Sequence, residues 1–205
     1  MEVIIVAREE DVAKIAADRV QQQIHQKRDS VLGLATGGTP LRLYDELESR
    51  VQKKSISFAA VTTFNLDEYV GLPPDHRQSY AYYMDKHLFS RIDIDREKTF
   101  LPSCPDRKYV TRTCEDFEQA LRASGGIELQ ILGIGTNGHI GFNEPTSSLR
   151  SSTRVKTLTK QTVRDNSRFF RSGEEQPSLG ITMGIGRILK SKRALLIATS
   201  TLLRA

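Results

Sequence analysis

His139 and Glu144 stand five positions apart in the run Gly133-Ile134-Gly135-Thr136-Asn137-Gly138-His139-Ile140-Gly141-Phe142-Asn143-Glu144-Pro145, directly after the apolar stretch Ile127-Glu128-Leu129-Gln130-Ile131-Leu132. An imidazole gives and takes protons near neutral pH, and a loop that folds back can bring a carboxylate to orient and charge it. A buried strand that runs into a glycine-bearing loop delivers such groups to the carboxyl edge of an open α/β sheet. Ligands collect at that edge, and glycine lets the backbone approach them closely. Plain packing of His139 in the core, a metal site and a nucleophilic centre compete with this reading. Against a nucleophile, no serine sits on a Gly-x-Ser-x-Gly elbow. Against a metal, one histidine with scattered carboxylates is a weak ligand set.

Three further groups belong with that loop if they reach the same edge. Thr36-Gly37-Gly38-Thr39-Pro40 follows an apolar run and precedes a helical pattern. Thr39 suits the N-cap and Pro40 the first helical position, so exposed backbone N–H groups, two hydroxyls and the helix dipole would make an anion site. The segment has neither the Gly-Lys-Ser/Thr ending of a Walker A loop nor a dinucleotide fingerprint. Asp67, in Asn65-Leu66-Asp67-Glu68-Tyr69, ends another apolar run. It or Glu68 either caps the following turn or, at the sheet edge, serves as a general base. Arg168 lies between polar and aromatic neighbours in Asn166-Ser167-Arg168-Phe169-Phe170, where its fork can grip a phosphate or simply decorate a helix.

The elements that would position these groups alternate in kind. The pattern predicts strands at 3–6, 31–35, 58–64, 127–132 and 194–199, with helices at 11–26, 41–51, 79–89 and 116–123. Residues 177–192 form a glycine-punctuated stretch that is helical in its second half. Such alternation predicts an α/β fold, a Rossmann-like open and mainly parallel sheet with helices on both faces, in one domain over 1–205.

Composition is that of a globular protein, with 27% charged and 38% apolar residues, which argues against disorder and against a membrane span. The apolar run near the amino terminus is too short for a secretory signal, so a cytoplasmic protein is expected. Cys104 and Cys114 have no zinc-like spacing and read as reduced, structural thiols. The net charge of +5 fits nucleic acid, a solvated basic face, or a small anionic substrate, with Arg150, Arg154, Lys156, Lys160, Arg164, Arg168 and Arg171 as its densest stretch.

Taken together, Leu34-Ala35-Thr36-Gly37-Gly38-Thr39-Pro40, Asn65-Leu66-Asp67-Glu68-Tyr69-Val70-Gly71-Leu72, the 133–145 run and residues 166–170 resemble the glucosamine-6-phosphate deaminase family in order and spacing. The resemblance implies conversion of D-glucosamine 6-phosphate and water to D-fructose 6-phosphate and ammonia, with no cofactor or catalytic metal. It implies a small-molecule sugar phosphate as the partner, rather than nucleic acid or membrane, in a monomer or homo-oligomer. By position Asp67 matches the proton-transfer base, His139 the ring-opening acid–base group and Glu144 its supporting carboxylate. Thr36, Gly37, Gly38, Thr39 and Arg168 match the substrate-phosphate site, and Ser147, Arg154 and Lys156 an allosteric phosphate site. The chain departs from many relatives at Asn137, where they carry aspartate beside the histidine. By register Leu203 stands where the family has a phosphate-binding lysine, and the family's further helix and strand are expected to be missing. A lactonase of the 6-phosphogluconolactonase type shares the Gly-Gly and Gly-His loops, and a non-catalytic sugar-phosphate sensor is the other alternative.

Overall fold

The computed structural model describes residues 1–158 and 176–199. Lys160, Arg164, Arg168, Arg171, Leu203 and Arg204 lie outside the described residues. Five parallel strands form the main sheet in the order β4-β2-β1-β5-β8: β1 (Val31–Leu34), β2 (Thr62–Asn65), β4 (Thr99–Phe100), β5 (Leu129–Gly133) and β8 (Arg193–Ile197). β1 is buried along its whole length, as expected of a central parallel strand covered on both faces.

Alternation across the pleat sends Leu32, Leu34, Leu129 and Ile131 into one core with α1 (Glu9–Gln26), α2 (Leu41–Gln52) and α3 (Tyr80–His87). Val31, Phe64 and Leu132 enter the other, against α4 (Val110–Ala123) and the short α5 (Ile185–Ile188). Phe64 anchors that second core, stacked on Phe100 at 4.7 Å and edge-on to Phe117 at 5.5 Å. The α/β sheet with helices on both faces is therefore as expected.

A second, antiparallel sheet stands at the carboxyl edge in the order β3-β7-β6, made of β3 (Asp67–Tyr69), β7 (Leu179–Thr182) and β6 (Arg154–Thr157). The single residue Leu66 joins the two sheets: its N–H donates to Leu34 O at 3.1 Å and its carbonyl accepts from Met183 N at 2.6 Å. The sequence pattern misses β6 and β7, and it places Asp67 after a strand rather than at the start of one.

Other boundaries shift for local reasons. Residues 3–6 are not a strand. They pair with no ladder among the described residues, and Val3 and Ile5 are 71% and 90% exposed. An apolar run becomes a strand only when a neighbour takes its N–H and C=O groups. Residues 59–61 form a turn and its exit rather than strand, so β2 is shorter than expected. α4 begins at Val110, six positions before the expected start, and follows a short turn that Asp106 caps by accepting from Lys108 N at 3.0 Å. α2 starts at Leu41 with Pro40 as its cap residue; Thr39 makes no capping hydrogen bond.

Candidate active site

In the main sheet β1 lies in the middle, with β2 on one side and β5 on the other, so the chain reverses its winding direction between β1 and β5. A crevice outside the carboxyl ends of the strands opens at such a point. The loop after β1 carries Thr36 to Thr39, and the loop after β5 carries Asn137, His139 and Glu144. The end of β5 reaches the first of these loops: a Cβ added to Gly133, its last residue, would stand 4.0 Å from Thr39 Cβ.

Within the second loop, a three-member relay fixes the imidazole. His139 N–H donates to Asn137 Oδ1 at 3.1 Å, and a backbone N–H can only donate, so that side-chain atom is the amide oxygen. His139 Nδ1 lies 2.7 Å from the same oxygen and must therefore carry its proton, which leaves Nε2 as the proton-exchanging atom. Asn137 Nδ2 in turn donates to Glu144 Oε2 at 2.7 Å. Glu144 thus reaches His139 through Asn137. Gly135 makes room for the ring, because a Cβ there would lie 2.1 Å from His139 Cε1.

The loop is then pinned to the second sheet. Buried Asn143 donates to Met183 O at 2.8 Å and Ile140 O at 3.0 Å, and Phe142 N–H donates to Thr182 Oγ1 at 3.2 Å. Gly141, at φ +58°, closes directly on Asp67: a Cβ there would stand 2.9 Å from Asp67 Oδ2 and 3.0 Å from Thr182 Oγ1. Only glycine permits that approach.

Asp67 is 5% exposed, on β3 opposite Thr182. Burial, and then the neighbouring Glu68, push its carboxyl up to about 8. Phe142, Tyr69 and Tyr80 form an aromatic group next to it, with centroids 5.0 to 5.9 Å apart. The capping role falls to Glu68 instead. Its carboxylate accepts from Tyr69 N, Tyr80 N and Ala81 N at 2.8, 2.9 and 2.8 Å and so holds the first turn of α3. Burial pushes Glu68 up to about 7 against the pull of those donors.

Comparison with known proteins now decides the family. Residues 7–201 match the family described as glucosamine-6-phosphate isomerases/6-phosphogluconolactonase. The chain belongs to this family. It is 54% identical over 199 residues to a glucosamine-6-phosphate deaminase of Shewanella halifaxensis, covering 97% of this chain and 75% of that one. A deaminase of Cellvibrio japonicus is 53% identical over the same shares. A solved monomeric glucosamine-6-phosphate deaminase superposes with a TM-score of 0.91 at 43% identity, over 96% of this chain and 81% of that one. A 6-phosphogluconolactonase of Thermotoga maritima matches at TM-score 0.66 and 18% identity, over 90% and 78% of the two chains, which shows a common fold.

Within this isomerase/lactonase fold the expected residues sort clearly. Asp67, Asn137, His139, Glu144 and the 36–39 loop gather at one edge, and Arg168 lies outside the described residues. Arg154 and Lys156 are alternate residues of β6 and share a face, while Ser147 N–H donates to Glu144 O at 3.0 Å in the turn that ends the His139 loop. Cys104 is buried and Cys114 half-buried, both free. Among the described residues no group of three His, Cys, Asp or Glu side chains could hold a metal ion, and no helix is long and apolar enough to cross a membrane. Sequence reasoning passed over Thr182, which accepts from Phe142 N–H beside Asp67, and two tyrosines, Tyr44 and Tyr83, that touch the first loop. No motif marks any of the three.

Proposed function

We propose that this chain converts D-glucosamine 6-phosphate and water to D-fructose 6-phosphate and ammonia. The observation that carries the reading is the juxtaposition of two different proton-handling groups. One is a buried Asp67 with raised proton affinity, touching Gly141; the other is His139, on the same loop, with its Nε2 left for exchange. An aldose must be linear before its C2 proton is acidic, so one group has to open the ring and a second has to move the proton.

In this scheme His139 Nε2, bare in the tautomer that Asn137 and Glu144 hold, takes the proton of the C1 hydroxyl and hands it to the ring oxygen as the bond from C1 to that oxygen breaks. Asp67, once ionised by the cationic amine beside it, takes the C2 proton to form an enolamine and returns it to C1. Water then adds at C2 and ammonia leaves. A carboxylate whose pKa lies near the working pH is suited to both halves of that transfer. Thr36, Gly37, Gly38 and Thr39, with Arg168, grip the phosphate at a distance from the reacting carbons. Ser147, Arg154 and Lys156 are the candidates for a separate regulatory phosphate site. One domain in the cytoplasm, working without cofactor, suffices for this chemistry, and the monomeric relative at 43% identity supports a chain that acts alone.

The deciding experiment is ammonia release from glucosamine 6-phosphate, run beside hydrolysis of 6-phosphogluconolactone. Ammonia without lactone hydrolysis is expected. Lactone hydrolysis without ammonia would replace the proposal with the lactonase reading, and binding of the sugar phosphate without either product would leave a sensor.

A further inference from the structure

Two tyrosine hydroxyls donate to the backbone of the loop after β1. Tyr44, fully buried on α2, reaches Ala35 O at 2.5 Å, and Tyr83, on α3, reaches Gly37 O at 2.6 Å. Among the described residues every peptide bond is trans, so each carbonyl points opposite to the N–H of the next residue. Holding Gly37 O toward α3 therefore turns Gly38 N–H away from α3, and holding Ala35 O turns Thr36 N–H the same way relative to α2. Neither N–H donates to backbone within the described residues. The space around Gly37 and Gly38 is open, since a Cβ added at either would meet nothing within 4 Å. Gly37 sits at φ +105°, a position from which its following peptide can rotate unless something holds it.

We infer that Tyr83 is a positioning residue for the phosphate grip: its hydroxyl locks the Gly37–Gly38 peptide so that Gly38 N–H faces the phosphate of the bound sugar. This rests on the reading of the 36–39 loop given above. The lock is also tied to the proton-transfer site. Glu68, the neighbour of Asp67, holds Tyr80 and Ala81 at the start of α3, and Tyr83 follows within one turn. One short helix thus spans from Glu68, the chain neighbour of the carboxylate that moves the proton, to the peptide that holds the phosphate. The spacing between the two ends of the substrate is built into it.

The test is Tyr83→Phe, which removes the hydroxyl and keeps the ring against His87, 4.6 Å away. Loss of one orienting hydrogen bond should raise KM for glucosamine 6-phosphate about 3- to 10-fold with kcat within about twofold, and weaken inhibition by inorganic phosphate by the same factor. Non-phosphorylated glucosamine, as a competing ligand, should bind wild type and variant alike. In nitrogen-resolved NMR, inorganic phosphate should shift the Gly38 amide of the wild type, and shift it less in Tyr83→Phe at saturation. An unchanged KM and an equal Gly38 response would overturn the role of Tyr83 while leaving the phosphate loop standing. Weakening shared by the non-phosphorylated sugar, or carried by kcat, would overturn it as well, in favour of general damage. A wild-type Gly38 amide that ignores phosphate would remove both the loop reading and this inference.

Discussion

The His139 loop and strand β3 bring ionisable groups to the same edge by different physical routes. On the loop, short local hydrogen bonds set the geometry: an amide is fixed by a backbone N–H, the imidazole by the amide, and the amide in turn donates to Glu144. That wiring selects a tautomer and needs little burial; Asn137 is exposed. On β3 the two adjacent carboxylates are nearly sealed from water, at 5% and 1% exposure, and burial dominates their proton affinity. Local hydrogen bonds can set where a proton sits, whereas changing how tightly a carboxyl holds it takes a packed surround. The division matches the proposed tasks, because ring opening needs an oriented proton carrier and carbon-acid proton transfer needs a strong base.

The largest effect that would test this contrast is at the buried end. Asp67→Asn should lower ammonia release by about 10²- to 10⁴-fold, the range for loss of a positioned acid–base group. Undiminished turnover would show that β3 carries no chemistry. The same variant tests the burial argument through stability. Between about 4 and 8 the unfolded chain ionises this aspartate while the folded chain keeps its proton, so stability falls as pH rises through that window and levels off above it. Removing the group should flatten that part of the slope, and urea midpoints should show the variant gaining on wild type from pH 4 to pH 8. A gap that stays constant with pH would mean Asp67 is not held protonated by its surroundings.

At the loop end, His139→Gln should slow turnover of the cyclic sugar by about 10²-fold and cost much less once the sugar is linear. Equal losses on both forms would remove the ring-opening role. Next in size is Asn137→Ala, which cuts the relay between His139 and Glu144; a loss of about tenfold is expected from one charge-assisted link. Steady-state rates on the cyclic substrate measure it. A loss as large as that of His139→Gln would mean the amide does more than orient the ring.

How far these regions could be read from sequence follows the same division. The loop announced itself because its work is done by residues close together in the chain, and its glycines are legible as a group: Gly135 clears the imidazole, while Gly138 and Gly141 take positive φ. Asp67 was visible as a carboxylate at a strand end, but its environment was not. Thr182 and β7 approach it from more than a hundred positions away, and the short strands β6 and β7 carry no strong alternation. The apolar run at 3–6 misled for the complementary reason, since its pattern is that of a strand without a partner to make it one. Tyr83 and Tyr44 were hidden among ordinary helix residues. Their effect depends on which carbonyl each hydroxyl meets, and that is set by how α2 and α3 dock on the sheet.

Glu68→Gln gives the smallest expected change in rate and separates the two carboxylates of β3 from each other. Glutamine keeps the volume and one acceptor, but its amide nitrogen cannot accept from the third N–H at the start of α3. The expected cost is about 1–3 kcal/mol of folding stability, the penalty for leaving a buried donor unpaired, read from urea unfolding near pH 8. Catalysis should fall by no more than about threefold, because Glu68 faces α3 and takes no part in the proposed proton path. Its own burial pushes it to about 7, so its contribution to the pH slope lies between its ordinary value of 4.5 and about 7, and the variant should lose that segment while keeping most of the part contributed by Asp67, whose upper edge moves below about 8 because burial still raises it but the neighbouring Glu68 charge is gone. If the rate collapses as it does in Asp67→Asn, proton transfer belongs to the pair rather than to Asp67, and the contrast between an anchoring carboxylate and a working one on the same strand is lost.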